Sequence, residues 1–563
     1  YKNERTKDKQ TMMEYVKLKP NTSQYDGQSF NYGTITDAIY VKSDNASDNG
    51  NKYIEALPQI PDIDTIENYN FKIPQNFSDR PDKSEIQKLR EIIDLYSIRF
   101  PMPYDSDLWN SLYLTMVQSY SKRSEIAGRS SATVTVNGEA HENKTRLVAS
   151  SLSAPVGFNL IGPSGCGKSS ALEIAINYYP KVIRHINEDG SMTIQIPCIY
   201  VSCPPDSNFK VLFGKIGKEI DRYLGNTFPT VEKEIMGNKN SKIGEISSRL
   251  CKVIEQYAIG VIILDEIQQL SFSSTKENSF NTLMTLVNDS MVGLGLSGTE
   301  EVIEKIIRKP QFARRVGSRI LCDKYTKDEE FLESVFEPLT VFQWGDEYVE
   351  FTDEMRNEIF MESHGIIAYI VLIYTLTWAF YISENEKASS ENSDDSTKNN
   401  NEKKREINLD FIKEVIEKFF RMITIAINRE DLSEKERDVY TKDAYDSVKN
   451  GVIDKVSEVS QEKRIKDMAR NPKATAKEIA RRGVVAYIQE SYDEFSEEQI
   501  TKVFDDVYRK EKSTRDLKRE TLTKLTSKKR SRRRMPNKSN TGKIEDNTLL
   551  SIEESVGDAN NPI

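Results

Sequence analysis

The chain is poor in histidine, cysteine and tryptophan, with three, five and three among its 563 residues. The three histidines (His141, His185, His364) are too few and too scattered for a histidine-rich metal centre. The five cysteines (Cys166, Cys198, Cys203, Cys251, Cys322) all fall in one central region and show no zinc-ligand spacing. Reduced thiols are therefore expected rather than a disulfide framework. The opening stretch YKNERTKDKQ has no signal-peptide pattern. Long apolar runs are scarce too. IIAYIVLIYTLTWAFYI at 366–382 is apolar for 17 residues and leads into a polar linker. About 20 are needed to span a bilayer, so a buried helix and no membrane are expected.

Hydrophobic residues make up 37% of the chain and charged residues 30%, which predicts a folded core diluted by solvated segments. The net charge of −9 is unevenly distributed. Residues 512–538 carry twelve Lys/Arg against two acids, while 539–563 carry one Lys against five acids. The block SKKRSRRRMPNK is thus a basic arm on an acidic body, suited to phosphates or to an acidic partner, or else an ordinary solvated tail.

Length allows two to four domains. Residues 1–52 are polar, and YIEALPQIPDI (53–63) reads as an apolar docking segment rather than a helix. Within 53–150, KSEIQKLREIIDLY places Ile86, Leu89, Ile92, Ile93 and Tyr96 at helical spacing. A second helix is predicted over DSDLWNSLYLTMVQSYSKRS, with Asp105 or Ser106 as its cap. Residues 151–345 alternate strands and helices: VGFNLIG, CIYVSC, GVIILDE and MVGLGLSGT read as strands, with PLTVFQW (338–344) as a candidate fifth. Near-continuous apolar strands separated by helices indicate an α/β fold with a parallel sheet covered on both faces. Residues 346–430 read as helical, interrupted by a polar insertion at 385–406 expected to be disordered. Residues 431–563 form a charged C-terminal region with weaker amphipathic pieces, and no internal repeat is visible.

Gly162-Pro163-Ser164-Gly165-Cys166-Gly167-Lys168-Ser169 fits G-x-x-x-x-G-K-[ST] at every fixed position. An apolar strand precedes it and SSALEIAINYY supplies the following helix. The loop, with Ser170 at the first helical turn, would cradle the phosphates of ATP. Lys168 would reach the β- and γ-phosphates, and Ser169 would ligate Mg²⁺. VIILDEIQQL provides the other half, ending in Asp265 and Glu266 at the carboxyl end of a strand. Asp265 would serve Mg²⁺, and Glu266 would orient or deprotonate a water. A small-molecule kinase has no need of that second acid, so ATP hydrolysis is favoured. Thr299, or Ser297 as runner-up, ends the next strand as a γ-phosphate sensor. Arg314 or Arg315 is a candidate finger for a neighbouring subunit's ATP, against the plainer reading of a solvated basic turn.

In this order the motifs resemble an AAA+ ATPase. YIEALP, LIGPSGCGKSSALEIAINYYPKVIRH, IYVSCPPDSNFKVLFGKIGKEID, VIILDEIQQLS, LMTLVNDSMVGLGLSGTEEVIE, FARRVGSRI and ESHGIIAYIVLIYTL resemble one branch, the TnsC-type regulators of heteromeric bacterial transposons, relatives of MuB and TniB. The resemblance spans about residues 53–430. It implies an AAA+ core with an N-terminal helical extension, an α-helical lid and a partly disordered C-terminal tail. It also implies a cytoplasmic, DNA-associated homo-oligomer, ring or filament, on double-stranded DNA. Such an assembly links a target-selection protein (TnsD/TniQ-like) to transposase subunits (TnsA/TnsB-like), with hydrolysis controlling it. Two departures matter. SHGIIAYI lacks the lid arginine many AAA+ proteins carry, and DNA contacts have no motif; Lys239 and Lys242 in MGNKNSKIGE are candidates beside the reading of a solvated loop. The tail block fits either DNA or transposase, and the family parallel favours transposase. The alternative reading is a helicase-loader or origin-recognition-like ATPase, which should carry a winged-helix domain that the pattern after 430 does not suggest. A STAND-type signalling ATPase should append long repeats, and none is present.

Overall fold

The computed structural model describes residues 30–74, 83–270, 277–300, 317–391, 405–427 and 441–453, apart from 44, 152, 154, 206–207, 323–324 and 346. It also describes 24–25, 521–524 and parts of 481–508. Expectations placed on residues 1–23, Arg314, Arg315, residues 392–404 of the insertion and the densest part of the basic block (528–538) lie outside the described residues. The chain divides into two units, Tyr1–Ser457 and Glu458–Ile563.

In the first unit, the N-terminal part contributes β1 (Ile35–Asp37), a single helical turn at Lys52–Glu55, and the helices α1 (Ile63–Asn70), α2 (Glu85–Asp94) and α3 (Asp105–Ser121). The segment expected to dock without helix thus begins with one turn, and Ala56 and Leu57 behind it are buried. Helix α3 starts as its apolar spacing predicts, but neither Asp105 nor Ser106 caps it: Tyr104 stands at the cap position. The Asp105 carboxylate instead accepts from the Met102 N–H at 2.8 Å and pairs with Arg99 at 2.8 Å. A buried guanidinium is a stronger claimant on that carboxylate than a helix end.

A long hairpin follows, β2 (Arg123–Val136) and β3 (Glu139–Ala149). Its turn is Asn137-Gly138, both at positive φ (50° and 80°), the type I′ geometry that matches strand twist. Next come β4 (Phe158–Ile161), α4 (Lys168–Asn177), β5 (Val182–Ile186), β6 (Met192–Gln195) and β7 (Cys198–Ser202). They are followed by α5 (Phe209–Tyr223), α6 (Val231–Met236), α7 (Ile243–Gln256), β8 (Val261–Asp265), α8 (Glu277–Ser290), β9 (Gly293–Gly298) and β10 (Ser318–Leu321). The main sheet has the order β10-β4-β9-β8-β7, with every pairing parallel. Its three central strands are buried at every position, the pattern of a sheet covered on both faces. A smaller sheet, β1-β5-β6, stands beside it.

The fifth strand is β10, not PLTVFQW. Residues Glu337–Thr340 are helical, with Pro338 in the first turn, where its missing N–H costs nothing. Ser318–Leu321 escaped notice because an edge strand buries only one of its four side chains, leaving no apolar run.

Helices α5, α7 and α8 cover one face of the sheet. Leu212, Ile216, Ile220, Leu250, Val253 and Leu286 join Ile262 and Leu264 of β8 in one core cluster. Each such side chain contributes about 1.5–3 kcal/mol by leaving water. The other face carries α3, which packs on β4, β8, β9 and β10 and lies beside α4. Beyond the sheet stand α9 (Asp353–Ser363), α10 (Ile367–Glu391) and α11 (Leu409–Val415). The apolar run lies in α10, whose membrane-length window is 78% buried within the fold. It is apolar all round because α2, α9 and α11 enclose it. Helix α10 continues to Glu391, so the first residues of the insertion are helical rather than disordered.

The second unit has its own apolar cluster. Val484, Val485, Ile488 and Phe495 gather with Ile500, Val503, Phe504 and Val507 of a helix at Glu497–Val507. A Ser496–Gln499 capping box opens that helix.

Candidate nucleotide-binding site

The glycine loop leaves the sheet where β4 ends. The Gly162 N–H donates to the Gly298 carbonyl at the end of β9 (3.2 Å), which sets where the loop begins. Gly165 and Gly167 take φ of 85° and 91°, values that side-chain-bearing residues avoid, and α4 starts directly at Lys168. The loop therefore turns its N–H groups and a helix N-terminus toward one place, an arrangement suited to phosphate. The Lys168 ammonium is folded onto the loop, 2.7 Å from the carbonyls of both Gly162 and Pro163 and 3.8 Å from Cys166 Sγ. The Tyr104 hydroxyl donates to the Cys166 carbonyl at 2.7 Å from inside the core. The Arg99–Asp105 pair at the start of α3 fixes where that phenol stands.

Asp265 ends β8 and is 2% exposed. Its Oδ2 accepts from the Ser169 hydroxyl and from the Tyr200 hydroxyl, both at 2.6 Å, and its Oδ1 accepts from the Glu266 N–H at 2.9 Å. Burial, and then the charge of Asp265, raise the Tyr200 phenol above its ordinary pKa, so it stays a donor. Glu266 has φ 56°, an uncommon conformation for a non-glycine residue and one that gathers at functional sites. Its carboxylate accepts from Gln268 Nε2 at 2.6 Å and faces Lys442 Nζ at 3.7 Å. Ser297 and Thr299 are fully buried, and neither hydroxyl has a hydrogen-bond partner among the described residues.

A cleft of about 460 Å³ runs over the loop, lined by Ser164–Ser170 and Glu266. Ile98, Phe100 and Met102 form one apolar wall, Ile367 and Val371 the other, and Tyr445 of the helix at 441–453 stands at the mouth against Tyr369. The first turn of α10 meets the loop through its backbone, Ala368 N–H to Gly165 O at 3.4 Å. The lid segment SHGIIAYI thus touches the loop with apolar side chains and an amide rather than an arginine. A larger cleft of about 1260 Å³ adjoins α4 and includes Lys181, Lys218 and Arg222, but none of the loop glycines.

The structure brings the loop, Asp265 and Glu266 together. Lys239 and Lys242 are exposed between α6 and α7, with Lys242 directly before α7. Sequence alone assigns no role to Tyr104, Tyr200, Gln268, Lys442 or Tyr445; Gln268 lies two residues after Glu266, and Tyr200 lies in the strand CIYVSC. Ser169 and Asp265 offer hard oxygens of the kind Mg²⁺ takes, and such a cation keeps waters and phosphate oxygens in its shell. Among the described residues no group of three His, Cys, Asp or Glu side chains forms a cage for another metal.

Residues 158–306 match the family described as an AAA domain. A search of the curated proteins returns no match. Solved structures similar to part of this chain include a Walker-type ATPase of Pyrococcus abyssi, 16% identical over 42% of this chain and 69% of that one, with a TM-score of 0.28. The Aeropyrum pernix ORC1 protein in complex with DNA is 14% identical over 55% and 78% (TM-score 0.27). AMPPCP-bound DnaA from Aquifex aeolicus is 15% identical over 55% and 83% (TM-score 0.24). The fold is an AAA+ P-loop fold, a parallel five-stranded sheet flanked by helices.

Proposed function

We propose that the protein hydrolyses ATP and uses the cycle to time a DNA-bound assembly in transposition, in the manner of TnsC-type regulators. The observation that carries the hydrolytic part is the meeting of Ser169, Asp265 and Glu266 beside the loop of Lys168. In this reading the loop N–H groups take the phosphates, and Lys168 exchanges its two carbonyl partners for phosphate oxygens. The adenine lies between Ile98 or Phe100 and the apolar start of α10. Ser169 and Asp265 would hold Mg²⁺, which when bound offsets phosphate charge. Tyr200 keeps Asp265 in place during that exchange. Glu266 accepts a proton from the attacking water, and Thr299 supplies a hydroxyl toward the γ-phosphate. Arg314 or Arg315 would reach the ATP of a neighbouring copy.

The transposition part rests on the resemblance. Cys203 opens the Cys-Pro-Pro turn within IYVSCPPDSNF, one of the stretches that carry the resemblance, and its N–H donates to the Asp265 carbonyl at 2.9 Å, continuing the β7–β8 pairing. That turn is therefore attached to the end of the strand bearing the two acids. The partners in this reading are double-stranded DNA, TnsA/TnsB-like transposase subunits, a TnsD/TniQ-like target selector and further copies of the chain, in the bacterial cytoplasm. Lys239 and Lys242 are candidates for DNA phosphates, and contacts of that kind weaken with salt.

Glu266→Gln tests the reading. ATP binding should persist while turnover falls by about 10²–10⁴-fold, the usual contribution of a positioned base. Electron micrographs with duplex DNA and ATP should then show oligomers that no longer disassemble. Undiminished turnover would refute the role of Glu266; turnover that answers to a small acceptor and ignores DNA would refute the DNA-bound assembly.

A further inference from the structure

We propose that Cys166 and Cys322 form a peroxide-responsive disulfide that closes the nucleotide loop. The proposal rests on the loop being the nucleotide site. Cys166 lies in the loop and lines its cleft, and Cys322 directly follows β10, the strand paired with β4. Both side chains are buried, at 1% and 0% exposure, and the Cys322 thiol lies within hydrogen-bond reach of the Cys166 sulfur. Gly162 makes this meeting possible. A Cβ on it would stand 2.8 Å from Cys322 Cβ, 3.1 Å from Cys166 Sγ and 2.5 Å from the Cys322 carbonyl. The glycine of the loop motif is thus also the gap through which two thiols face each other.

The two sulfurs are unequal partners. The hydrogen bond from Cys322 and the nearby Lys168 ammonium favour a thiolate at Cys166, whose pKa is drawn down to about 7. Burial pushes the thiols of Cys198, Cys203, Cys251 and Cys322 upward, so Cys166 is the sulfur drawn toward the thiolate. Cys166 is therefore the attacking sulfur and Cys322 the resolving one. A hydroperoxide entering by the cleft is attacked at oxygen by the Cys166 thiolate. Its O–O bond breaks, and the leaving hydroxide takes a proton to become water. The Cys322 sulfur then attacks the sulfenic sulfur of Cys166. The S–O bond breaks, and the thiol proton leaves with the hydroxide as a second water. Two thiols are oxidised to one disulfide as one hydrogen peroxide is reduced to two waters.

Bond formation must bring the sulfurs to about 2.0 Å. Cys322 is held by its N–H on the Ile161 carbonyl at 2.6 Å, so the displacement falls on the loop. A loop pulled toward β10 no longer presents its N–H groups to phosphate, and bound nucleotide in turn covers the route to Cys166.

The test uses the full chain, hydrogen peroxide and a fluorescent ATP analogue. Peptide mass spectrometry without reductant should find the Cys166 peptide joined to the Cys322 peptide and lighter by two hydrogens. Analogue binding should be lost with the same time course and regained on dithiothreitol, and ATP added first should prevent both changes. Cys322→Ser should bind the analogue before peroxide and fail to form the link. A link absent from peroxide-treated wild-type protein, or present with binding undiminished, would overturn the proposal. Because the mapping does not depend on any variant, a poorly folding Cys322→Ser leaves it decisive. Failure of the reduced protein to bind the analogue would instead refute the nucleotide-site reading.

Discussion

Removing one phenolic oxygen, by Tyr200→Phe, tests how the acidic half of the site is held. Asp265 Oδ2 has two hydroxyl donors at 2.6 Å, Ser169 and Tyr200. If Ser169 leaves to serve Mg²⁺, Tyr200 remains the hydroxyl that fixes the carboxylate. A hydrogen bond to a charged acceptor is worth about 1.5–3 kcal/mol. Tyr200 is only half-buried, which argues for the lower part of that range. A loss of about 1–2 kcal/mol is a factor of about 5–30. The half-saturating Mg²⁺ concentration for ATP turnover should rise by that factor. Binding of an ATP analogue without Mg²⁺ should barely change, because Ser169 still occupies Asp265 in that state. The phenol sits above its ordinary pKa, so it donates throughout the neutral range and the defect should not titrate there. A folded variant whose Mg²⁺ dependence matches the wild type would refute the positioning role.

Three other outcomes follow from the same geometry. Tyr104→Phe leaves the buried Cys166 carbonyl without its donor, a cost of about 1–3 kcal/mol; thermal unfolding should come earlier and ATP-analogue affinity should drop, and an unchanged affinity would count against the contact. Lys442→Ala frees the Glu266 carboxylate from a solvated ion pair worth at most about 1 kcal/mol; steady-state turnover should rise by up to about fivefold, and a fall would mean that Lys442 assists hydrolysis. His185 is buried between Tyr40 and Gln195, and burial lowers its pKa from 6.5 to about 4. The unfolded chain therefore binds the extra proton first, and stability on the order of 3 kcal/mol should be lost as pH falls from 6.5 toward 4; denaturant titrations of His185→Gln should lack that part of the slope.

The features legible in the sequence are those where one segment carries its own geometric demand. Gly165 and Gly167 are required because their φ values exclude other residues, and the run before Asp265 is apolar because β8 is buried on both faces. The parallel sheet is readable for the same reason in β4, β8 and β9, while β7 keeps an apolar run although Tyr200 is half-buried and Ser202 exposed. Where an element is half-exposed the signal weakens: β10 buries one side chain in four, and the apolar-looking PLTVFQW was taken for its place. The β2–β3 hairpin has a readable signature in Asn137-Gly138, but RSEIAGRSS ahead of it offers no apolar run. The 17-residue apolar run was readable as buried, but not which helices bury it.

The residues that hold the motifs were illegible for a different reason. Tyr104 reaches Cys166 across 62 positions, Tyr200 reaches Asp265 across 65, and Lys442 lies far beyond both acids in the chain. Each is a common residue type in, or directly before, an ordinary helix or strand, selected by its place in the fold rather than by its neighbours in sequence. The motif residues specify which chemistry is available; these supporting residues determine whether the loop and the two acids are in position when nucleotide arrives. That division explains where variation should be tolerated. Substituting Gly165 or Lys168 should abolish phosphate binding outright, whereas Tyr104, Tyr200 and Lys442 adjust affinity, metal dependence and rate by modest factors. Parts of the second kind come here from the turn before α3, from the sheet strand β7 and from the helix at 441–453.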